Sequence, residues 1–508
     1  MGKMLPWPFE DHYKCSIGSE RHLFVDDALV QHARGVGKRL HQPVKHPANP
    51  VIRGDLPFEN DYAVLHGTVL REPDGRFRAW YLSGTGALAY AESDDGLAWR
   101  KPLFDRYRID GNDTNIVYWT QRPELARRDE WKFGGGSIMS DPNAPPAERY
   151  RMFTFEVPLS DAARERFATG YGYYAISSPD GIRWPIGQQP VLTRRDDDPH
   201  MSDANACMYD PLRRRFIAFT KRHQIRPDAV GDQGVMSRVR GISFSDDFRA
   251  WTPPVNCLLP DDRDPRDVQF YRQGAWTHQG MYLGLLEIYH SDPDNPVQPL
   301  MRDLQLISSR DGELWWRAGG RQTFIPCGPA GSWDGQMLDL NAGGPIDVGD
   351  EHWIYYGGRA YPHEINEELF PWDGPRGAGI GIATLRRDRY VSYDAGAETG
   401  EVVTRLLRFE RGTSLRVNGR TGPDGFLRCE VLDAIERHGI PRRQLFWDWG
   451  IGAPVAGFGA EACQPVAGDH LDAEIRWRGG NSIGELAGRW VALRFVMRDC
   501  SLFAFQVR

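Results

Sequence analysis

Ser93-Asp-Asp95-Gly-Leu-Ala-Trp99 is a short turn, and the chain writes it four times. Ser178-Pro-Asp180-Gly-Ile-Arg-Trp184 and Ser309-Arg-Asp311-Gly-Glu-Leu-Trp315 keep the marked positions, and Ser245-Asp-Asp247-Phe-Arg-Ala-Trp251 changes only Gly to Phe. The intervals are 85, 67 and 64 residues, which makes the turn the mark of a structural period. Asp accepts backbone N–H groups in such a turn, Gly supplies a left-handed backbone angle, and Trp packs between sheets. The turn therefore reads as a staple, and the chemistry is expected on the opposite face.

Between the turns lie short alternating runs: Arg76-Phe-Arg-Ala-Trp-Tyr-Leu82, Arg149-Tyr-Arg-Met-Phe-Thr-Phe155, Arg215-Phe-Ile-Ala-Phe-Thr220, Gly280-Met-Tyr-Leu-Gly-Leu-Leu286 and His352-Trp-Ile-Tyr-Tyr356. Their aromatic and β-branched content and the Asp, Gly and Pro turns before them predict strands. In the fifth unit the turn motif is eroded. Five four-stranded units predict an all-β chain: a five-bladed β-propeller over 46–395, a lead-in over 1–45 packing on it, and a β-sandwich over 396–508. Alternating runs such as Trp490-Val-Ala-Leu-Arg-Phe495 and Leu502-Phe-Ala-Phe-Gln-Val507 carry the last of these.

Composition narrows the function. The chain has 508 residues, 41% hydrophobic and 26% charged, with core material for one large domain and a small one. A net charge of −7 without long basic runs argues against nucleic acid as partner. No stretch approaches the ~18 apolar residues of a membrane helix, which argues against a membrane partner. The start shows no basic-then-apolar leader, and the seven cysteines (15, 207, 257, 327, 429, 463, 500) are scattered without a CxxC; both point to a reduced, cytoplasmic protein. Aromatics at 12%, with 17 Trp, suit a carbohydrate partner. A homo-oligomer is compatible with all of this.

In a propeller blade, the starts of first strands and the ends of second strands share one face. Blade 1 offers Glu59, Asp61 and His66; blade 2, Asp129, Glu130, Lys132 and Glu156; blade 3, His200, Asp203, Lys221, Arg222 and His223; blade 4, Asp264, Arg266, Asp267 and Glu287; blade 5, Asp334, Asp339 and Arg359. Acids at one register in successive blades predict a channel mouth ringed with carboxylates. Glycoside hydrolysis needs two, one to protonate the leaving oxygen and one as nucleophile or base, and crowding keeps one member protonated. Aromatic residues near the mouth, among them Trp333 and Tyr271, could stack on a sugar. Each acid taken singly also fits a turn cap or strand-end hydrogen bond, and the set also fits a Ca²⁺ site, although no cofactor is required.

The four turns resemble the Asp-box of sialidase-type propellers, one residue shorter. His22-Leu-Phe-Val-Asp-Asp27, Asn49-Pro-Val-Ile52, Val268-Gln-Phe-Tyr271 and Ile382-Ala-Thr-Leu-Arg-Arg-Asp388 resemble bacterial proteins grouped near glycoside hydrolase families 32 and 43. The resemblance implies a glycosidase acting on a furanoside such as a fructofuranoside or arabinofuranoside. The chain departs from those families in having no Asn-Asp-Pro-Asn-Gly signature and no Glu-Cys acid motif, and blade 3 offers Asp203 where they have Glu. The expected catalytic set is Glu287 as general acid, Asp203 or Asp267 as base or nucleophile, and Glu59 as supporting carboxylate. The expected substrate-binding set is Asp334, Arg222, His223, Arg359, Trp333, Tyr271, Asp61 and Glu156. The alternatives are a non-catalytic carbohydrate-binding propeller, and a phosphorylase with Arg222, His223, Arg266 and Arg359 holding phosphate.

Overall fold

Each Ser-x-Asp turn is closed by its own side chains. In the first, Gly96 N donates to Ser93 Oγ (2.9 Å), and Leu97 N and Ala98 N donate to Asp95 Oδ1 (2.8 and 2.9 Å). The other three turns repeat the double donation to Asp180, Asp247 and Asp311. These N–H donors hold the carboxyls of Asp95, Asp180 and Asp247 below the usual range; at Asp180, burial opposes them. The residue after Asp has positive φ: Gly96 +79°, Gly181 +74°, Phe248 +66° and Gly312 +73°. Phe248 adopts it without glycine's freedom, packed against Phe216 at 4.8 Å.

The computed structural model describes residues 9–11, 14–119, 131–141, 143–158, 172–185, 190–193, 202–231, 234–292, 294, 300–363, 374, 376–436 and 449–508. It is all-β. No helix among the described residues is long and apolar enough to cross a membrane. The chain divides into two compact units, one of residues 43–317 and 323–384, the other of 1–42, 318–322 and 385–508.

Among the described residues the larger unit holds three four-stranded antiparallel sheets, a two-stranded one of Phe104–Ile109 with Asn112–Thr114, and an eleven-stranded sheet that falls into two parts, sheets 4 and 5. Sheet 1 runs Ala63–Arg71, Phe77–Ser83, Leu88–Ser93 and Ile116–Tyr118; sheet 2, Trp131–Ser140, Tyr150–Pro158, Gly172–Ser178 and Leu192–Thr193. Sheet 3 runs Ser202–Asp210, Arg215–Ile225, Met236–Ser245 and Val255–Leu258; sheet 4, Val268–His278, Met281–His290 and Arg302–Ser309, edged by Trp316–Arg317 and Thr323–Ile325. Sheet 5 runs Met337–Leu340, Glu351–Arg359 and Ala378–Arg386, and its fourth place is filled from earlier in the chain by Val44–Lys45 and Ile52–Arg53. A single bridge, Arg302 to Met337, joins sheets 4 and 5. Met281–His290 is buried at every position because it is covered on both faces.

The turn tryptophans show the order of the sheets. Trp315 of sheet 4 packs on Phe219 of sheet 3 (5.4 Å), and Trp251 of sheet 3 on Phe153 of sheet 2 (4.9 Å). Trp184 of sheet 2 shares a cluster with Trp80 of sheet 1, whose Nε1 donates to Gly181 O at 2.7 Å. Trp99 of sheet 1 meets Tyr355 of sheet 5 (6.1 Å), and Tyr355 Oη donates to Gly96 O at 2.8 Å. Each turn thus clasps the second strand of the preceding sheet, and the sequence of clasps returns from sheet 1 to sheet 5. The first strands line the middle. There Arg272 donates from Nε to Asn205 O (2.8 Å) and from Nη1 to Leu65 O (3.0 Å) and Leu340 O (3.1 Å), tying four sheets with one guanidinium.

In the smaller unit, Leu415–Glu436 and Val491–Val507 pair over most of their length in a twelve-stranded sheet. Strands at 14–16, 22–23, 30–34 and 36–40, in the segment expected as a lead-in, pair inside this sheet with strands of 391–408 and 491–507. A sheet this large curls, and one cluster including Phe24, Val417, Cys429, Trp477, Phe495 and Phe505 forms its core.

Candidate active site

Four of the five first strands carry a register shift at a corresponding place: Val64/Thr68, Phe133/Gly136, Ser202/Ala206 and Phe270/Gln273. A bulge bends a strand and re-aims its side chains. The residues inside these bulges include His66, Gly134 and Gly135, Asp203 and Ala204, and Tyr271 and Arg272. Ala204 takes φ +44° and Gly135 φ +91°. A Cβ on Gly135 would lie 2.6 Å from that of His66, and one on Gly134 would lie 3.3 Å from Asp203 Cβ, so the glycines let sheet 2 lie close against sheets 1 and 3.

Tyr271 is the centre of the cluster. Arg302 lies over its ring at 4.3 Å and Lys221 at 4.7 Å. Arg238 lies farther off at 5.8 Å. Lys221 Nζ pairs with Asp203, whose side chain retains 23% exposure. Burial draws the Lys221 ammonium down to about 8, against the pull of Asp203.

Asp339 is fully buried. Arg302 pairs with its Oδ1, Arg359 donates to both oxygens at 3.1 Å, and His66 Nε2 lies 3.1 Å from Oδ1. Burial opposes ionisation here, but Arg359, Arg302 and His66 overcome it and hold the Asp339 carboxyl well below its usual range. Burial lowers His66 to about 4, so its ring is neutral at pH 7. Behind Arg302, Glu287 is also fully buried; it accepts from Leu340 N (2.9 Å) and lies 3.5 Å from Arg302 Nε. Burial raises its carboxyl, with Arg302 opposing. His363, edge-on to Tyr271 at 4.7 Å, is pushed well below its usual value by burial and then by Arg302, Arg238, Arg359 and Lys221.

The expected ring of carboxylates is thus divided. Asp203, Tyr271, Glu287 and Arg359 converge, with Asp339, His66 and Lys221 beside them. Glu59 is fully buried and tied by Lys101 Nζ (2.6 Å), Tyr81 Oη (2.6 Å) and Leu56 N (3.0 Å). Asp334 accepts from Lys45 (2.6 Å), Tyr356 Oη (2.9 Å) and Ser332 Oγ (2.9 Å), and Trp333 stacks on Tyr356 at 5.6 Å. Asp267 lies 3.7 Å from His290 Nδ1. Arg222 Nη1 donates to Pro254 O (2.7 Å), and His223 follows on the same half-buried strand end. Asp61 is exposed at φ +59°. Glu156, nearly buried, accepts from Tyr118 Oη at 2.6 Å, and burial raises it to about 8. Asp129, Glu130 and His200, and the side chain of Lys132, lie outside the described residues.

Arg302, Arg238, Arg240 and Arg272 belong to the cluster and were not foreseen. Three of them sit in the first half of third strands, which open on the same face as the starts of first strands; an Arg set among the alternating apolar residues of a strand is the signal available. For Ca²⁺, the acids at hand are Asp203 and Asp339, and an incoming cation would compete with Lys221, Arg302 and Arg359 for them.

No family model matches the chain, and no curated protein matches it. Among solved structures, an N-acetylgalactosamine deacetylase from F. plautii, in complex with blood group B trisaccharide, is 15% identical, with 70% of this chain and 96% of that chain covered and a TM-score of 0.44. A thermostable family-43 glycoside hydrolase is 11% identical, covering 68% and 92%, with a TM-score of 0.40. A structure titled for a family of mannoside phosphorylases containing glycoside hydrolases that target β-1,2 mannosidic linkages in Candida mannan is 13% identical, covering 69% and 94%, with a TM-score of 0.41.

Proposed function

We propose that the chain is a carbohydrate-active enzyme that cleaves a glycosidic bond, with a furanoside as the substrate class implied by the sequence resemblance. The observation that carries the reading is the gathering, from sheets distant in sequence, of a partly exposed carboxylate, Asp203, with a buried ionic frame around Tyr271. Such a frame supplies fixed charges at one place, the arrangement that stabilises charge developing in a transition state.

Asp203 takes the part of base or nucleophile, since its side chain keeps partial exposure. The second requirement is a carboxyl protonated near neutral pH. Glu287 and Glu156 are both buried and raised, but Glu287 is held by Leu340 N and Arg302, whereas Glu156 accepts from Tyr118 Oη alone among the described residues. Glu287 is therefore assigned to positioning Arg302, and Glu156 to proton donation. Glu156 stands at the end of the second strand of sheet 2, the same end of the unit as the start of the first strand of sheet 3 that bears Asp203. Phosphorolysis is the second reading, favoured by the cations around Tyr271.

A panel of aryl furanosides and pyranosides, assayed with and without phosphate, tests the reading. Turnover without phosphate is expected, with Asp203→Asn reducing kcat by about 10²–10⁴-fold. Sugar binding without turnover across the panel would leave a carbohydrate-binding propeller instead.

A further inference from the structure

The described residues around Tyr271 carry a surplus of positive charge. Lys221, Arg240, Arg272, Arg302 and Arg359 face three carboxyls, those of Asp203, Asp339 and Glu287. Asp339 already serves both Arg302 and Arg359. Asp203 serves Lys221. Arg240 is fully buried and donates to two carbonyls, Tyr271 O (2.6 Å) and Ala204 O (3.0 Å). Arg272 likewise donates to carbonyls. Carbonyl dipoles satisfy N–H groups without cancelling the charge. Arg302 adds a second observation: its side chain is fully buried, yet Nη1 has no hydrogen-bond partner among the described residues.

Buried like charges a few ångströms apart repel strongly where water cannot screen them, and a buried charge needs a partner of opposite sign. The two neighbouring imidazoles add no positive charge, being held neutral by burial and by these cations. We propose that this cluster is an oxyanion site: it takes a carboxylate, sulfate or phosphate group, received by Arg302, Lys221 and Arg359 beside the Tyr271 ring. The inference rests on the glycosidic reading for its substrate class, so the favoured bearer is an acidic sugar, a uronic acid or a sulfate ester. Inorganic phosphate as co-substrate is the other source of the same chemistry. Arginine forks match such groups in two-point contact, and Glu287 behind Arg302 fixes the plane of that fork.

Calorimetric titration of the full chain with methyl glucuronide, methyl galacturonide, glucose 6-sulfate, methyl glucoside and inorganic phosphate decides the matter. At least one anionic probe should bind about tenfold or more tightly than methyl glucoside, and weaken as NaCl rises from 50 to 300 mM. Lys221→Gln and Arg359→Gln should each lower the ratio of that probe's affinity to that of methyl glucoside about tenfold. Two substitutions keep the test open if one disrupts folding, which thermal unfolding reports. Phosphate binding coupled to phosphate-dependent turnover would support the site and name free phosphate as its ligand. Equal affinity for charged and neutral sugars, or no saturable binding of any anionic probe, would overturn it. Turnover of aryl glycosides is read separately: cleavage of neutral glycosides without an anion preference sinks only the oxyanion site, and tight anion binding without cleavage sinks only the glycosidic reading.

Discussion

Glu156 shows how one buried side chain makes the molecule sensitive to pH. Its carboxyl keeps a proton to about 8 in the folded chain, against 4.5 as the ordinary value. Between those limits the folded state binds more protons than the unfolded state, so its contribution to stability falls as pH rises from 4.5 to 8. Gln cannot ionise there. The Tm of Glu156→Gln relative to the parent should therefore be more positive at pH 9 than at pH 5, by roughly 2–8 °C, measured by calorimetry. In the same variant the alkaline limb of the kcat profile should disappear if Glu156 donates the proton. A purely structural Glu156 would move the Tm difference and leave the shape of the profile alone.

At the scale of the element, the Ser-x-Asp turn decides most. Asp180→Ala would leave Ile182 N and Arg183 N without their acceptor, at a cost of about 1–2 kcal/mol in urea unfolding. Trp184→Ala empties a fully buried site in the cluster joining sheets 1 and 2 and should cost about 3–5 kcal/mol. The fold was readable because these turns mark themselves in one dimension: Ser, Asp, Gly and Trp sit at fixed offsets, and the spacing counts the sheets. The site was readable only in part. Asp203, Tyr271, Glu287 and Arg359 open first strands or close second strands, positions the sequence marks. Glu59 and Asp334 satisfy the same rule, yet they bond Lys101 and Lys45. A linear reading places a residue near an end of a strand without saying which side of the sheet it faces. The bulges at Val64/Thr68, Phe133/Gly136, Ser202/Ala206 and Phe270/Gln273 break the alternation that would otherwise give the side, and Arg302 opens a third strand.

At the scale of the whole larger unit, Arg272 is the common tie. Arg272→Lys keeps the charge but loses the planar fork that reaches Asn205 O, Leu65 O and Leu340 O together. The variant should be less stable by about 2 kcal/mol or more, as at least one buried carbonyl goes unanswered. The fourth place of sheet 5, filled by Val44–Lys45 and Ile52–Arg53, has a different kind of consequence. A ribosome makes these two short strands more than three hundred residues before the Ala378–Arg386 partner they must meet. The nascent chain therefore carries an unmated edge while those three hundred residues are made, and the latch shuts only after Arg386 has emerged. Pulsed proteolysis of stalled chains should find every intermediate length cleavable and protection arriving in one late step, after residue 386 clears the exit tunnel.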